Sequence, residues 1–237
     1  MLSMIIGPDQ QKKKEACARV YSSAIQEIGS ILDTYDSDGQ FAVYGFKESQ
    51  VFALNGEENP YVHGVQGMVN AFTSSLDTVS LSGKTYLAPL IMKAAEIAAQ
   101  RPPAGHPNQK YVGLIILTDG SVKDKKDVVE AMATIANHAM SIIIVVVGED
   151  PSGTNIKEFE TLKANCRVNT NRDMIQIIQL HAISELSQVA KSFTIARQMI
   201  KELPGQLVTY YTTLDIMPIH NSAETPTKFG NVNLHTM

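Results

Sequence analysis

Two oxygen donors set in glycine loops give the chain its best prospect of chemistry. One is the hydroxyl of Thr85, at the end of Ser82-Gly-Lys-Thr85, and the other is the carboxylate of Asp119, in Thr118-Asp-Gly120. Both are hard donors of the kind that Mg2+ accepts. As a pair they admit two chemistries. In the first, Gly83-Lys84-Thr85 closes a phosphate-binding loop and Asp119 holds a nucleotide's magnesium from the end of an apolar strand. That loop requires a glycine where Thr78 stands and a strand leading into it where the pattern is helical. In the second, Thr85 and Asp119 belong to a divalent-cation site whose remaining positions go to water or to a partner's acidic side chain. The structural alternative gives Asp119 the turn at Gly120 or the entry to the next helix.

The elements that would position these donors follow from hydrophobic spacing. The uncharged run from Tyr111 to Leu117 predicts a strand covered on both faces, as a parallel sheet flanked by helices demands, and it delivers Asp119 onto the turn at Gly120. A second such run, Ser141 to Val147, ends at Gly148. Between them Asp124 to His138 is a predicted helix, with Val128, Val129, Met132, Ile135 and Ala136 on one side and Lys125, Lys126, Asp127 and Glu130 on the other. Open α/β sheets gather ligands at the carboxyl ends of their strands, which is where this βαβ unit puts Asp119.

Upstream, Gln10 to Tyr35 is a predicted helix with Ala24, Ile28, Ile31 and Leu32 among its apolar positions. Gln40 to Tyr44 and Val51 to Leu54 are predicted as neighbouring strands of a hairpin-like edge. Val65 to Leu81 and Ala88 to Gln100 have helical spacing, and Pro89 suits a helix's first turn. Arg101 to Pro107 is a proline-rich connector. Met174 to Leu180 is the predicted last strand, and Ile183 to Leu203 a closing helix broken by Pro204 with a short extension at Gln206 to Tyr211. Beyond Pro218 little can be buried, which predicts a mobile tail.

Composition removes several function classes. The 237 residues carry a formal net charge of −4 with both signs interspersed, so there is no basic stripe for nucleic acid and no polybasic anchor for an anionic membrane. Cys17 and Cys166 stand far apart with no CxxC pair, predicting free thiols in a reducing compartment. No apolar run approaches a membrane span, so a soluble, cytoplasmic protein is expected. His63, His106, His138, His181, His220 and His235 show no ligand spacing, and no serine sits in a glycine-flanked nucleophile elbow. Both observations predict a protein that is not an enzyme.

The blocks Tyr35-Asp-Ser-Asp38, Tyr44-Gly-Phe46, Leu54-Asn55, Gly64-Val-Gln-Gly67, Leu81-Ser-Gly-Lys-Thr85, Ala88-Pro89, Leu117-Thr-Asp-Gly120, Met140 to Ile144, Arg172 to Gln176 and Glu202 to Tyr211 follow one another in this chain. In this order they resemble the copine family and its version of the von Willebrand factor A-type domain. The resemblance implies an α/β, doubly wound, mostly parallel sheet flanked by helices, with residues 10–214 as the domain, 1–9 as a short leading segment and 215–237 as a flexible tail. It implies a protein-recruiting domain with a metal-ion-dependent adhesion site, in which Thr85 and Asp119 are the metal ligands and an acidic side chain of an intracellular partner completes the shell.

The family's first central strand carries an Asp-x-Ser/Thr-x-Ser element. None occurs near Gly7-Pro-Asp9, so that strand is expected to be missing or replaced by Met1–Ile6 and Mg2+ to bind weakly. The family's role in calcium-dependent phospholipid binding at the plasma membrane rests on β-sandwich modules that this chain does not contain. Ca2+ is therefore implied by resemblance alone, and direct membrane binding is not expected. A ubiquitin-ligase family shares the same domain, but there is no cysteine and histidine cluster here to form its RING.

Overall fold

The computed structural model describes residues 8–35, 38–47, 49–78, 85–102, 106, 110–118, 122–148, 150 and 152–216, with the backbone alone at 8–14, 35 and 47. Its centre is a parallel sheet of β5 (Val112–Thr118), β6 (Met140–Val146) and β7 (Ile175–Gln179) in that order. Val112 lies opposite Met140, and Ile142 opposite Ile175. Every residue of β6 is buried, which is why its sequence is apolar at nearly every position rather than alternating.

The pleat divides those residues between two cores. Ile142, Ile144 and Val146 pack with Leu90 and Ile91 of α3 (Ala88–Ala99), Met132 of α4 (Lys125–Thr134) and Phe159 of α5 (Thr154–Thr170). Ile143, Val145 and Val147 pack on the other face with Ala24 and Ile28 of α1 (Pro8–Tyr35) and Ile195 and Met199 of α6 (Gln188–Ile200). Helices cover both faces of a parallel sheet, the doubly wound α/β arrangement that the sequence predicts.

Ahead of this core stands a bent antiparallel ribbon. β1 (Gln40–Ala42) pairs with β4 (Tyr61–His63), and β2 (Tyr44–Lys47) pairs with β3 (Gln50–Ala53). Val43 joins the two pairs, donating its N–H to Pro60 O and accepting from Leu54 N, both at 3.0 Å. The hairpin-like edge is present, and Tyr61–His63 extends it beyond the two predicted strands.

Three expectations need correction. α2 (Gly64–Ser75) ends before the predicted Leu81, and residues 79–84 lie outside the described ones. No element was predicted over residues 149–173, yet α5 lies there, burying Phe159, Leu162 and Cys166 at helical spacing. Pro204 does not trail off a closing helix. It stands in the first turn of a separate one, α7 (Leu203–Thr213), where its missing N–H would have had no intrahelical acceptor.

Two side chains close the carboxyl half of the fold. Asp150 accepts N–H bonds from Thr154 and Ile156, each at 3.0 Å, at the start of α5. Burial raises its pKa, but the bonds from Ile156, Ser152 and Thr154 prevail and hold the carboxyl below its ordinary value. Arg172, only 3% exposed, donates to Ala136 O and His138 O at 2.9 Å, to the Tyr111 hydroxyl at 2.7 Å and to Met140 O at 3.1 Å. Its guanidinium also stacks 4.8 Å from the centre of the Tyr210 ring. One side chain thereby ties the ends of α4, β5, β6 and α7 together.

The opposite edge of the sheet is open. Val112 N–H bonds to Ala139 O and Thr118 O accepts from Val147 N, so the even-numbered residues of β5 face β6. By alternation along a strand, the N–H and C=O groups of Gly113, Ile115 and Leu117 point the other way, where β5 has no strand neighbour among the described residues. Beyond that edge lies a half-open cavity of about 1320 Å³, lined in part by residues of β5, α1, α3 and the ribbon. It occupies the place of the expected missing strand. Met1–Ile6, expected as a substitute, lie outside the described residues.

Candidate functional site

The structure brings Thr85 to the carboxyl end of β5. Thr85 forms a parallel bridge with Val122, and its carbonyl accepts the Lys123 N–H at 3.0 Å. The segment after β5 is thus sewn to the segment before α3. Thr85 is partly exposed, and with Thr118 it borders the upper end of the cavity. Asp119, the second predicted ligand, lies outside the described residues together with Gly120.

The residue that holds these loops together is Asp124. It is 6% exposed, and its carboxylate accepts from Leu87 N at 3.0 Å and from Ala88 N at 2.8 Å. Those are amides at the start of α3, where four N–H groups lack intrahelical acceptors and the helix dipole favours negative charge. Asp124 also precedes α4, and its carbonyl accepts the Val128 N–H at 2.9 Å. Its side chain makes no cap bond to α4. Sequence reasoning missed this role because an aspartate just before a helix reads as the cap of that helix. The helix it caps begins 36 residues earlier.

The donors present do not make up a cation shell by themselves. Among the described residues no group of three or more His, Cys, Asp or Glu side chains could hold a metal ion. Both Asp124 oxygens are occupied by backbone amides, which leaves the Thr85 hydroxyl as the one predicted ligand on view. The phosphate-loop alternative fares no better, since the element before the loop is helix α2.

The other candidates resolve as structural. Cys17 and Cys166 are free thiols. Cys166 is buried, and desolvation pushes its pKa up to about 11, which leaves it an inert thiol at neutral pH. Met199 is in the core, while Leu203 is half-buried at the cavity wall. Among the described residues no helix is long and apolar enough to cross a membrane.

Comparison with known proteins agrees with the geometry. A family model described as Copine matches residues 13–219. Protein BONZAI 1 of Arabidopsis thaliana is 33% identical over 215 residues, covering 84% of this chain and 35% of the relative. Protein BONZAI 2 of the same plant is 32% identical over 215 residues, with the same coverage. The chain therefore spans about a third of the length of the curated relatives it matches, and neither of these two is named for an enzymatic activity.

Proposed function

We propose that this chain, which belongs to the copine family, works as a non-catalytic protein-recruiting domain whose docking rim lies at the carboxyl end of β5 around Thr85 and Asp119. The observation that carries this reading is the Asp124 bracket. A buried carboxylate spends both oxygens on fixing the Thr85 segment against the segment after β5, so the Thr85 side of the rim is held in place before a partner arrives. A preorganised rim loses little conformational entropy on binding.

The partner is an intracellular protein that presents an acidic side chain. Thr85 supplies a hydroxyl donor, and Asp119 supplies a carboxylate for Mg2+, with water in most of the remaining positions. A cation held through so few protein ligands is held loosely. Calcium-driven docking on anionic lipid is not part of this segment's role, because a chain of net charge −4 offers no polybasic surface.

The test is an array of peptides that each carry a single Asp or Glu, probed with the protein in the presence and absence of Mg2+. Capture should favour acidic peptides, strengthen with Mg2+ and fall in Thr85→Ala. Equal capture by Thr85→Ala, or capture indifferent to the acidic residue, would remove the rim from the mechanism. Titration calorimetry should find Mg2+ affinity weaker than micromolar, and a tighter site abolished by Asp119→Ala would mean that a further protein ligand exists.

A further inference from the structure

We propose that the outward face of α6 is a self-association surface, on which a second copy of this chain packs its own α6 antiparallel, about a two-fold axis at Phe193. α6 is apolar on two sides. Ile195 and Met199 point into the core with Ala24 and Ile28 of α1. On the opposite side of the helix Val189, Phe193 and Ile200 are exposed, Val189 at 82% and Phe193 at 70%. A helix that is apolar all round is one that is covered all round. Single surface hydrophobics need no partner, but residues at i and i+4 are neighbours, and Leu186, exposed in the turn ahead of α6, lengthens the row.

The face is fixed before a partner arrives. Ser187 caps the helix by accepting the Ala190 N–H at 3.4 Å, and Lys191 reaches across to Glu27 of α1 at 2.7 Å. These ties hold the row of Val189 and Phe193 outward.

Charge picks the occupant. Glu185 stands at the amino end of the row, and Arg197 and Lys201 toward its carboxyl end. All three are exposed, and none of their side chains is paired among the described residues. Glu185 and Lys201 lie at equal distances along the sequence from Phe193, as do Leu186 and Ile200, and Val189 and Arg197. An antiparallel copy centred on Phe193 therefore brings Glu185 level with the second copy's Lys201 and Leu186 level with its Ile200. Val189 meets the aliphatic stem of its Arg197, and the two Phe193 rings meet at the axis. A parallel copy would set Glu185 beside Glu185 and Lys201 beside Lys201, so charge fixes the direction as well. An anionic lipid surface would attract Arg197 and Lys201 but repel Glu185 on the same face.

The contact is small. α6 has 13 residues, about 20 Å of helix some 10 Å across, which falls well short of the about 800 Å² per partner of a standard interface. The dimer is accordingly weak and reversible, with a dissociation constant on the order of 100 µM.

The test is sedimentation equilibrium of the whole chain up to about 500 µM, with reductant to keep Cys17 and Cys166 as thiols and without Mg2+. A reversible monomer–dimer equilibrium is expected, weakened at least about tenfold by Phe193→Ser. Glu185→Lys and Lys201→Glu should each weaken it about tenfold, because each places like charges together twice in a symmetric pair. The two changes combined restore opposite charges and should return the affinity to within about threefold of the parent. Val168→Ser, at an exposed residue of α5, and Thr85→Ala should leave it unchanged, which separates this face from the Thr85 rim. All of the substituted α6 side chains are exposed, and thermal melting checks that each variant folds.

A monomer at every concentration, a dimer as strong in Phe193→Ser as in the parent, or a combined charge exchange no stronger than either single one would overturn the proposal. Co-sedimentation of a monomeric chain with vesicles of phosphatidylcholine and phosphatidylserine, lost in Phe193→Ser, would give the face to a lipid surface and remove the second copy.

Discussion

The two edges of β5 have the same sequence between them and opposite fates. Toward β6, each even-numbered residue has its ladder partner, the neighbouring strand is wholly buried, and Arg172 ties off the strand ends with four hydrogen bonds. Toward the ribbon, the odd-numbered residues of the same strand face a cavity of about 1320 Å³. Apolar composition is therefore necessary for burial but does not secure it. Leu114, Ile115 and Leu117 are as suited to a core as Ile116, yet all three are half-buried where Ile116 is 1% exposed. A parallel strand needs neighbours on both sides to satisfy its backbone, and packing is completed only where they exist.

The largest way to break the comparison is to open the closed side. Arg172→Leu removes the hydrogen bonds to Ala136 O, His138 O, Met140 O and the Tyr111 hydroxyl and should destabilise the fold by about 3 kcal/mol. For a chain of this size that is a fall in melting temperature of about 6–12 °C, readable by circular dichroism. Gly113→Ala on the open side meets nothing within 4 Å and should leave the melting temperature within about 2 °C. Equal losses from the two substitutions would mean that the two edges are equally packed.

Next in size is Asp124→Ala, which removes both bonds to the start of α3 and should cost about 2 kcal/mol. Because Asp124 joins the closed core to the Thr85 rim, acidic-peptide capture should fall as well, even under conditions where the variant remains folded. A variant that loses stability but keeps capture would separate the bracket from the rim.

Hydrogen exchange resolves the comparison within one strand. In the protein alone, the amides of Gly113, Ile115 and Leu117 should exchange at least about tenfold faster than those of Leu114 and Ile116, as expected where backbone donors lack partners. Uniform protection along β5 would mean that the open edge is covered.

The smallest effect is the pH response of Asp150, on the closed side. Its folded pKa lies below the ordinary value, so its contribution is present above the unfolded pKa of about 3.9 and is lost as pH falls through the lower folded value. Acid titration of stability should therefore be slightly shallower in Asp150→Asn than in the parent protein. Identical acid limbs would show that the cap contributes nothing to acid stability.

Much of the architecture was legible along the chain. The uncharged runs at Tyr111–Leu117 and Ser141–Val147 locate two parallel strands to within a residue, because burial on both faces removes polar residues from them. Thr85 was legible as a loop donor, and the order of the blocks pointed to the copine family that the family model matches. α5 was harder to read, since its buried Phe159, Leu162 and Cys166 are separated by a largely polar sequence. Pro204 was misread because a proline ends one helix and begins another with equal ease.

By itself the sequence determined which segments are apolar and at what period, and therefore the alternation of strand and helix. Tertiary structure alone decided which partners those segments meet. Asp124 caps a helix far upstream of its own, Arg172 joins the carbonyls of residues 136–140 to the Tyr111 hydroxyl, and among the described residues β5 has a strand neighbour on one side and a cavity on the other. Periodicity records which face of an element is buried, whereas a hydrogen-bond partner or a strand neighbour depends on where distant segments come to rest.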